Sequence, residues 1–127
     1  MVNYAHAPSL LVGVNTPLDA QNLSDLEKRH LPVITGPQSV KKDEFFDVQV
    51  LVGTSLAHPS DCGHFIMTIE LYADDTFLAR ADLTPGATAP NAVFRIRLRD
   101  PTKELVAYCT CNVHGRWMGS KAITVEL

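Results

Sequence analysis

Hydrophobic and polar residues alternate along much of this chain from residue 46 onward. The clearest run covers residues 93–99, where Phe94, Ile96 and Leu98 alternate with three arginines. A period of two predicts β-strands that bury one face and expose the other. The predicted strands are residues 46–52, 65–72, 77–83, 93–99, 105–110 and 122–127.

Turn-forming residues separate these strands at short intervals. They include Gly36-Pro37, Pro85-Gly86, Pro90-Asn91 and Asp100-Pro101. Six or seven short strands with this spacing are typical of an antiparallel β-sandwich or barrel. Because strands do not alternate with helices, a parallel α/β sheet is not expected.

The first part of the chain has a different pattern. Residues 1–26 have weak periodicity and contain Pro8, Gly13 and Pro17. We therefore predict an irregular N-terminal arm over residues 1–26 and a β domain over residues 27–127, and such an arm could support an oligomer contact. Within this region, Ser24 followed by Glu27 forms a capping-box pattern, which predicts a short helix that ends before Pro32.

Composition narrows the classes of function. The 127 residues are 46% hydrophobic, and 11 Lys and Arg against 14 Asp and Glu give a net charge of -3. This charge argues against nucleic acid or an anionic membrane as the main partner. No apolar run approaches the roughly 18 residues of a membrane span, and the start lacks the pattern of a secretory signal. We expect a cytoplasmic protein whose three cysteines are reduced.

Two motifs carry potential metal ligands. Cys111 and His114 lie three residues apart just before Gly115, at the end of a predicted strand. His58 and His64 share one predicted loop. Either motif alone is compatible with a simpler interpretation, namely a buried thiol and solvent-exposed loop histidines.

The motifs mean more when they are combined with His30, which precedes the first predicted strand. Four of the five histidines then fall at strand ends or loops together with one cysteine, and only His6 is left out. Four imidazoles and one thiolate suit iron, whereas structural zinc prefers four tetrahedral ligands. Five ligands would leave one octahedral position open for a small oxygen species.

These residues make the chain resemble the superoxide reductase family, also called neelaredoxin or the iron domain of desulfoferrodoxin. The resemblance covers roughly residues 27–127. It rests on His30-Leu31-Pro32, on His58-Pro59 followed by His64, and on Cys111-Asn112-Val113-His114-Gly115-Arg116-Trp117.

The resemblance implies a seven-stranded immunoglobulin-like β-sandwich or barrel and a mononuclear non-haem Fe(His)4Cys centre. It implies that Cys111 is the axial ligand and that the equatorial ligands are His30, His58, His64 and His114. Residues 1–26 contain no cysteine, so the chain resembles the one-iron class. The implied activity is the one-electron reduction of superoxide to hydrogen peroxide, with a rubredoxin-like electron donor and a dimeric or tetrameric assembly.

The resemblance also assigns catalytic roles before the first histidine. In the family, a lysine directly before that histidine attracts the anion, and the preceding glutamate occupies the sixth position of ferric iron. This chain has one extra residue, since Glu27, Lys28 and Arg29 precede His30. Either Arg29 takes the lysine position and Lys28 the glutamate position, or the loop bulges and Glu27 and Lys28 keep their roles.

Two other functions are compatible with the sequence. The first is a non-catalytic iron protein of the same fold that acts in electron transfer or redox sensing, and the second is a β-sandwich interaction module with incidental histidines. Of the remaining residues, we expect Cys109 to be a core thiol and Cys62 a small loop residue. Asn112 is expected to form a hydrogen bond to the thiolate, and Trp117 to pack beside the site.

Overall fold

A computed structural model of the chain describes residues 10–127, and it confirms the all-β class. This part of the chain contains one helix and ten strands. They are β1 (Val14–Asn15), α1 (Asp25–His30), β2 (Pro32–Thr35), β3 (Ser39–Lys41), β4 (Phe46–Val52), β5 (Ile66–Ala73), β6 (Thr76–Asp82), β7 (Asn91–Ile96), β8 (Glu104–Cys111), β9 (Gly115–Ala122) and β10 (Thr124–Glu126).

The strands form two main sheets and one small one. The larger sheet has the order β1-β9-β8-β5-β6, the second has the order β2-β4-β7, and β3 pairs with β10. Seven strands of the described region have four or more residues, and β1, β3 and β10 are shorter. Seven strands in two sheets are typical of an immunoglobulin-like sandwich. The short pairs β1–β9 and β3–β10 are parallel, whereas every pair within the seven long strands is antiparallel.

The predicted alternation of β4 places its side chains in the core. Val48, Val50 and Val52 are at most 1% exposed, and they belong to one cluster with Ile69 and Leu71 of β5. Burying a side chain of this size contributes about 1.5–3 kcal/mol. This core holds the two main sheets together, and the metal-ligand candidates lie at one end of them.

The arginine-rich strand is shorter than predicted. β7 ends at Ile96, although Leu98 is still buried and the three arginines point to solvent. Beyond the strand, Arg99 forms an ion pair with Asp43 at 3.0 Å instead of continuing the ladder with β4. The alternation therefore predicts the buried face correctly but overestimates the length of the strand.

The C-terminal strand prediction also needs correction. Residues 115–122 form β9, which the sequence analysis does not predict, because glycines and polar residues hide its alternation. The predicted strand over residues 122–127 is split at buried Ile123. The split arises because β9 pairs with β8 in the larger sheet, while β10 pairs with β3.

The helix prediction is confirmed in detail. The Ser24 hydroxyl accepts a hydrogen bond from the backbone N–H of Glu27, and the Glu27 carboxylate accepts one from the backbone N–H of Ser24. The helix ends where Leu31 becomes extended ahead of Pro32.

No helix within residues 10–127 is long and apolar enough to cross a membrane. The division of the chain at residues 26 and 27 stays a prediction.

Candidate metal centre

Four separate segments bring the predicted ligands to one place. His30 is the last residue of α1, and Cys111 is the last residue of β8. His58 and His64 lie in the loop between β4 and β5, and His114 lies in the turn between β8 and β9. The fifth histidine, His6, lies outside the described residues.

The four imidazoles are arranged as a square. Neighbouring ring centroids are 4.7 Å apart for His30–His58 and His58–His64, 5.0 Å for His64–His114, and 4.8 Å for His114–His30. The diagonal from His30 to His64 is longer, at 6.2 Å. A square of four rings is the arrangement that equatorial ligands of one ion adopt.

The hydrogen bonds of two rings define which nitrogen faces inward. Nδ1 of His30 donates to the carbonyl of Leu26 at 2.7 Å, and Nδ1 of His58 donates to the carbonyl of Pro59 at 2.7 Å. A carbonyl oxygen only accepts, so each Nε2 carries a lone pair. Both Nε2 atoms are buried without a hydrogen-bond partner. A buried lone pair without a partner is costly, and a metal ion at the centre of the square would remove that cost.

The sulfur of Cys111 lies close to these imidazoles. The ligand atoms of His30, His58, His64 and Cys111 lie within 4.8 Å of one another. Nδ1 of His114 is 3.2 Å from Nε2 of His64 and 3.8 Å from Sγ of Cys111. His30, His58, His64 and Cys111 are therefore close enough to hold one metal ion, and His114 lies next to this group.

Burial favours the neutral form of three imidazoles, those of His30, His58 and His114. It lowers the pKa of His30 to about 4, with a hydrogen bond to Leu26 opposing the shift and repulsion from the neighbouring histidines adding to it. Burial is also the main cause that lowers the pKa of His58 and of His114. A metal ion binds the neutral imidazole, so a proton does not compete for these rings at neutral pH.

Cys111 is 1% exposed, and its sulfur accepts a hydrogen bond from the backbone N–H of His114 at 3.3 Å. Asn112 does not make the predicted bond to the thiolate. Its side chain instead accepts from the N–H of Phe65 at 2.9 Å and donates to the carbonyl of Gly63 at 3.0 Å. The hydrogen bonds of Asn112 thus connect Gly63 and Phe65, which flank His64, to the turn that follows Cys111.

Two other side chains fix the orientation of His30. The indole of Trp117 stacks on its ring, with centroids 5.1 Å apart, as expected for a residue that packs beside the site. The thiol of Cys109 is fully buried and donates to the carbonyl of His30 at 3.1 Å. Burial raises the pKa of Cys109, so it remains a protonated core thiol, whereas Cys62 is exposed.

A tight turn places His58. Gly53 directly follows β4 and has φ +82°, and a Cβ at this position would lie 2.6 Å from the backbone nitrogen of His58. Only glycine accepts this backbone conformation and this close approach together. Gly53 is not among the predicted site residues, although a glycine just after a predicted strand is a signal for such a turn.

The three residues before His30 have different surroundings. Both carboxylate oxygens of Glu27 accept backbone hydrogen bonds, from Ser24 at 2.8 Å and from Leu18 at 2.9 Å. Exposed Arg29 donates to the carbonyl of Ala57, the residue before His58, at 3.0 Å. Lys28 is half-buried in the helix. Of these three side chains, Glu27 is held in the helix cap and Arg29 lies beside a ligand-bearing loop.

A sequence model described as Desulfoferrodoxin matches residues 22–120, which is most of the chain. The chain belongs to the desulfoferrodoxin family. A putative superoxide reductase from Methanocaldococcus jannaschii is 37% identical over 108 residues, covering 81% of this chain and 89% of that protein. A superoxide reductase from Pyrococcus abyssi is 34% identical and covers 71% of this chain and 83% of its own length.

Solved structures of family members have the same fold. Superoxide reductase (neelaredoxin) from Ignicoccus hospitalis is 36% identical with a TM-score of 0.69, covering 76% of this chain and 81% of that one. A putative superoxide reductase from Thermotoga maritima is 30% identical with a TM-score of 0.70, covering 78% and 88%. The fold formed by the seven long strands is therefore that of a desulfoferrodoxin-family domain.

Proposed function

We propose that this protein is an iron-dependent superoxide reductase whose metal ion is held by His30, His58, His64, His114 and Cys111. The observation that carries the proposal is the square of imidazoles with two buried, unpartnered Nε2 atoms beside a buried sulfur. Iron bound there supplies one electron for the reduction of superoxide to hydrogen peroxide. The names of the family members support the same reaction.

The set of donor atoms favours iron over zinc. Structural zinc sites have four tetrahedral ligands, whereas five donors from this chain suit an ion that prefers octahedral geometry. If a metal ion were held by four imidazoles and one thiolate, one octahedral position would be free for a small anion. The Cys111 thiolate would increase the electron density at that ion, as a thiolate does in thiolate-ligated haem.

The protein controls that electron density through hydrogen bonds to the sulfur. The N–H of His114 points at Sγ of Cys111, and a donor in this position stabilises the thiolate. Because Cys111 is 1% exposed, water does not add further donors. The turn from Cys111 to His114 therefore supplies two ligands and also adjusts one of them.

We assign the cation that attracts superoxide to Arg29. Its guanidinium donates a hydrogen bond to the carbonyl of Ala57, the residue before His58. Burial is the main cause that lowers the pKa of His58, the neighbouring histidines add to it, and the charge of Arg29 makes a smaller contribution. A fixed positive charge beside the loop that carries His58 raises the local concentration of an anion near the site. Arginine does not release a proton at neutral pH, so the protons of peroxide come from water or from half-buried Lys28.

Glu27 has a different role in this proposal. Its carboxylate is occupied by the backbone amides of Ser24 and Leu18, so we propose that it stabilises the helix that carries His30. A Glu27 carboxylate that is not free to bind a metal is also compatible with the second candidate function, an iron protein for electron transfer or redox sensing. Neither electron transfer nor sensing requires a carboxylate ligand. A rubredoxin-like electron donor, a dimer or tetramer, and a cytoplasmic location remain predictions.

The surface suggests where the electron donor binds. Val113 lies between the ligands Cys111 and His114 and is 46% exposed. An electron that enters at this residue has only a short covalent path to the sulfur. We propose that a small redox protein docks over Val113, on the side of the centre where the thiolate lies.

Two cysteine variants test the ligand set. Cys111→Ser is expected to remove a thiolate-to-iron absorption band of the oxidised protein and to reduce its iron content. Cys62→Ser is the matched control, because Cys62 is exposed and lies in the loop between two ligands, and it is expected to leave the band unchanged. A wild-type protein that binds zinc alone and shows no such band would contradict the proposal.

A further inference from the structure

Residues 10–18, which we call the strap, precede the segment that the family model matches, residues 22–120. Part of the strap is β1, which forms a parallel pair with the start of β9. Val14 lies opposite Arg116, and Asn15 lies opposite Trp117. The strap therefore contacts the chain directly after the turn that supplies Cys111 and His114.

Asn15 makes the central contacts of the strap. It is 2% exposed, and its side-chain amide donates to the carbonyls of Leu10 at 2.8 Å, Arg116 at 3.0 Å and His114 at 3.4 Å. Two of these acceptors lie on either side of Gly115. Loss of the amide would remove the side-chain donor to the carbonyls of Leu10 and Arg116. The loss is costly because Asn15 is 2% exposed, so water does not easily take the place of its amide.

Gly115 is shaped to receive the strap. Its φ is +81°, and a Cβ at this position would clash with the carbonyl oxygen of Leu10. The strap thus lies directly on the backbone of the ligand turn. Trp117 adds a further bond on the other side, since its indole N–H donates to the carbonyl of His114 at 3.0 Å.

The other end of the strap is attached to the helix that carries His30. The N–H of Leu18 donates to Glu27 at 2.9 Å, and Glu27 precedes His30 by three residues in α1. The strap consequently links two ligand-bearing elements that are far apart in sequence. The strap residues that make these two attachments, Asn15 and Leu18, lie outside the motifs on which the family resemblance rests.

We propose that Asn15 is a positioning residue of the iron centre. By holding the carbonyls of His114 and Arg116, it keeps the turn closed so that the N–H of His114 reaches Sγ of Cys111 and Nδ1 of His114 faces the other ligands. This inference rests on the proposed iron site. It assigns control of the thiolate to a residue outside the matched segment.

Asn15→Ala and Asn15→Asp test the inference, since both remove the amide donor. Asn22→Ala is the matched control, because Asn22 is an exposed asparagine N-terminal to the same helix. A weaker hydrogen bond to the sulfur should move the thiolate-to-iron band to longer wavelength. We also expect the iron-loaded variants to release iron to a chelator roughly 10-fold faster or more, the usual scale for residues that orient ligands.

The outcomes separate this inference from the proposed function. If wild-type protein shows no thiolate-to-iron band, the proposed iron site fails. If the wild-type band is present but both Asn15 variants keep the wild-type band position and iron release rate, the inference fails. A purely structural role would lower the free energy of unfolding of the apoprotein without moving the band, and that result would also overturn the inference.

A measurement on wild-type protein covers the case in which the variants do not fold. Coupling between the strap and the metal must be reciprocal, so binding of iron should slow amide hydrogen exchange in residues 10–18 as well as in the ligand turn. Slower exchange in both segments supports the inference. Slower exchange in the ligand turn alone would overturn it.

Discussion

Trp117 and His30 form a stacked pair, with ring centroids 5.1 Å apart and an angle of 26° between the ring planes. Both residues are almost fully buried. Trp117 comes from β9 and His30 from α1, so the pair joins the larger sheet to the helix that precedes β2. The position of His30, a proposed metal ligand, thus depends on the packing of a core aromatic residue.

Replacing Trp117 should therefore affect stability and the metal together. We expect Trp117→Ala to lower the free energy of unfolding by about 3–5 kcal/mol, because it leaves a large cavity in the core. Trp117→Phe keeps an aromatic ring against His30 but loses the N–H bond to His114, so its cost should be smaller. Denaturant unfolding of the apoproteins and iron release to a chelator measure both effects. Equal iron release by wild-type protein and Trp117→Ala would contradict this link.

Asn112 should position His64. Asn112→Ala removes two hydrogen bonds to the residues on either side of His64. Iron affinity should fall by about 10-fold to 100-fold, while the free energy of unfolding falls by only about 1–2 kcal/mol. Asn91→Ala is a suitable control, because Asn91 is also an exposed asparagine whose side chain forms a hydrogen bond, in this case to Gln49. Equal iron affinity of the two variants would exclude the role of Asn112.

Arg29 should accelerate the encounter with superoxide. Arg29→Ala is expected to slow oxidation of the reduced protein by superoxide about 10-fold and to weaken its dependence on ionic strength. Arg80→Ala removes the same charge from an exposed position that pairs with Asp82, so it controls for net charge. Stopped-flow mixing at several salt concentrations measures the rates. If both variants react equally fast, Arg29 is not the attracting cation.

Glu27 should stabilise the fold in a pH-dependent way. Burial acts to raise its pKa, but hydrogen bonds from Ser24 and Leu18 outweigh it, so the pKa lies below its ordinary value. Stability from this carboxylate is therefore present above the pKa of the unfolded state and is lost as the pH falls through the lower folded value. Glu27→Gln should cost about 1 kcal/mol at pH 7 in the apoprotein and less at pH 4. A difference that grows towards acidic pH would contradict this assignment.

The four residues that the structure brings within reach of one metal ion, His30, His58, His64 and Cys111, can be selected from the sequence because they lie in short motifs at the ends of elements or in loops. The period of two likewise predicts β4 and its buried valines, and the pair Ser24 and Glu27 predicts the helix start. In these cases the relevant interaction is local, or it follows directly from the period of a strand.

Features that depend on distant contacts could not be predicted in the same way. In the sequence, Asn15 is one polar residue in a predicted irregular arm. Its hydrogen bonds to the chain on either side of Gly115 are known only from the folded structure. From the sequence alone, the side chain of Asn112 could form a hydrogen bond to the nearby sulfur of Cys111 or to a distant backbone group. In the structure it bonds to the backbone of the loop that carries His64. Strand β9 is not predicted because its hydrophobic and polar residues do not alternate clearly. It is held in the sheet by its pairing with β8.

The reaction of the reduced, iron-loaded protein with superoxide tests the central claim most directly. Hydrogen peroxide and oxygen should be measured together after superoxide is added in a smaller amount than the protein. A superoxide reductase should form one peroxide for each superoxide, oxidise one iron each time and release no oxygen. Release of oxygen with one peroxide for every two superoxide molecules, or iron that stays reduced, would contradict the proposed function.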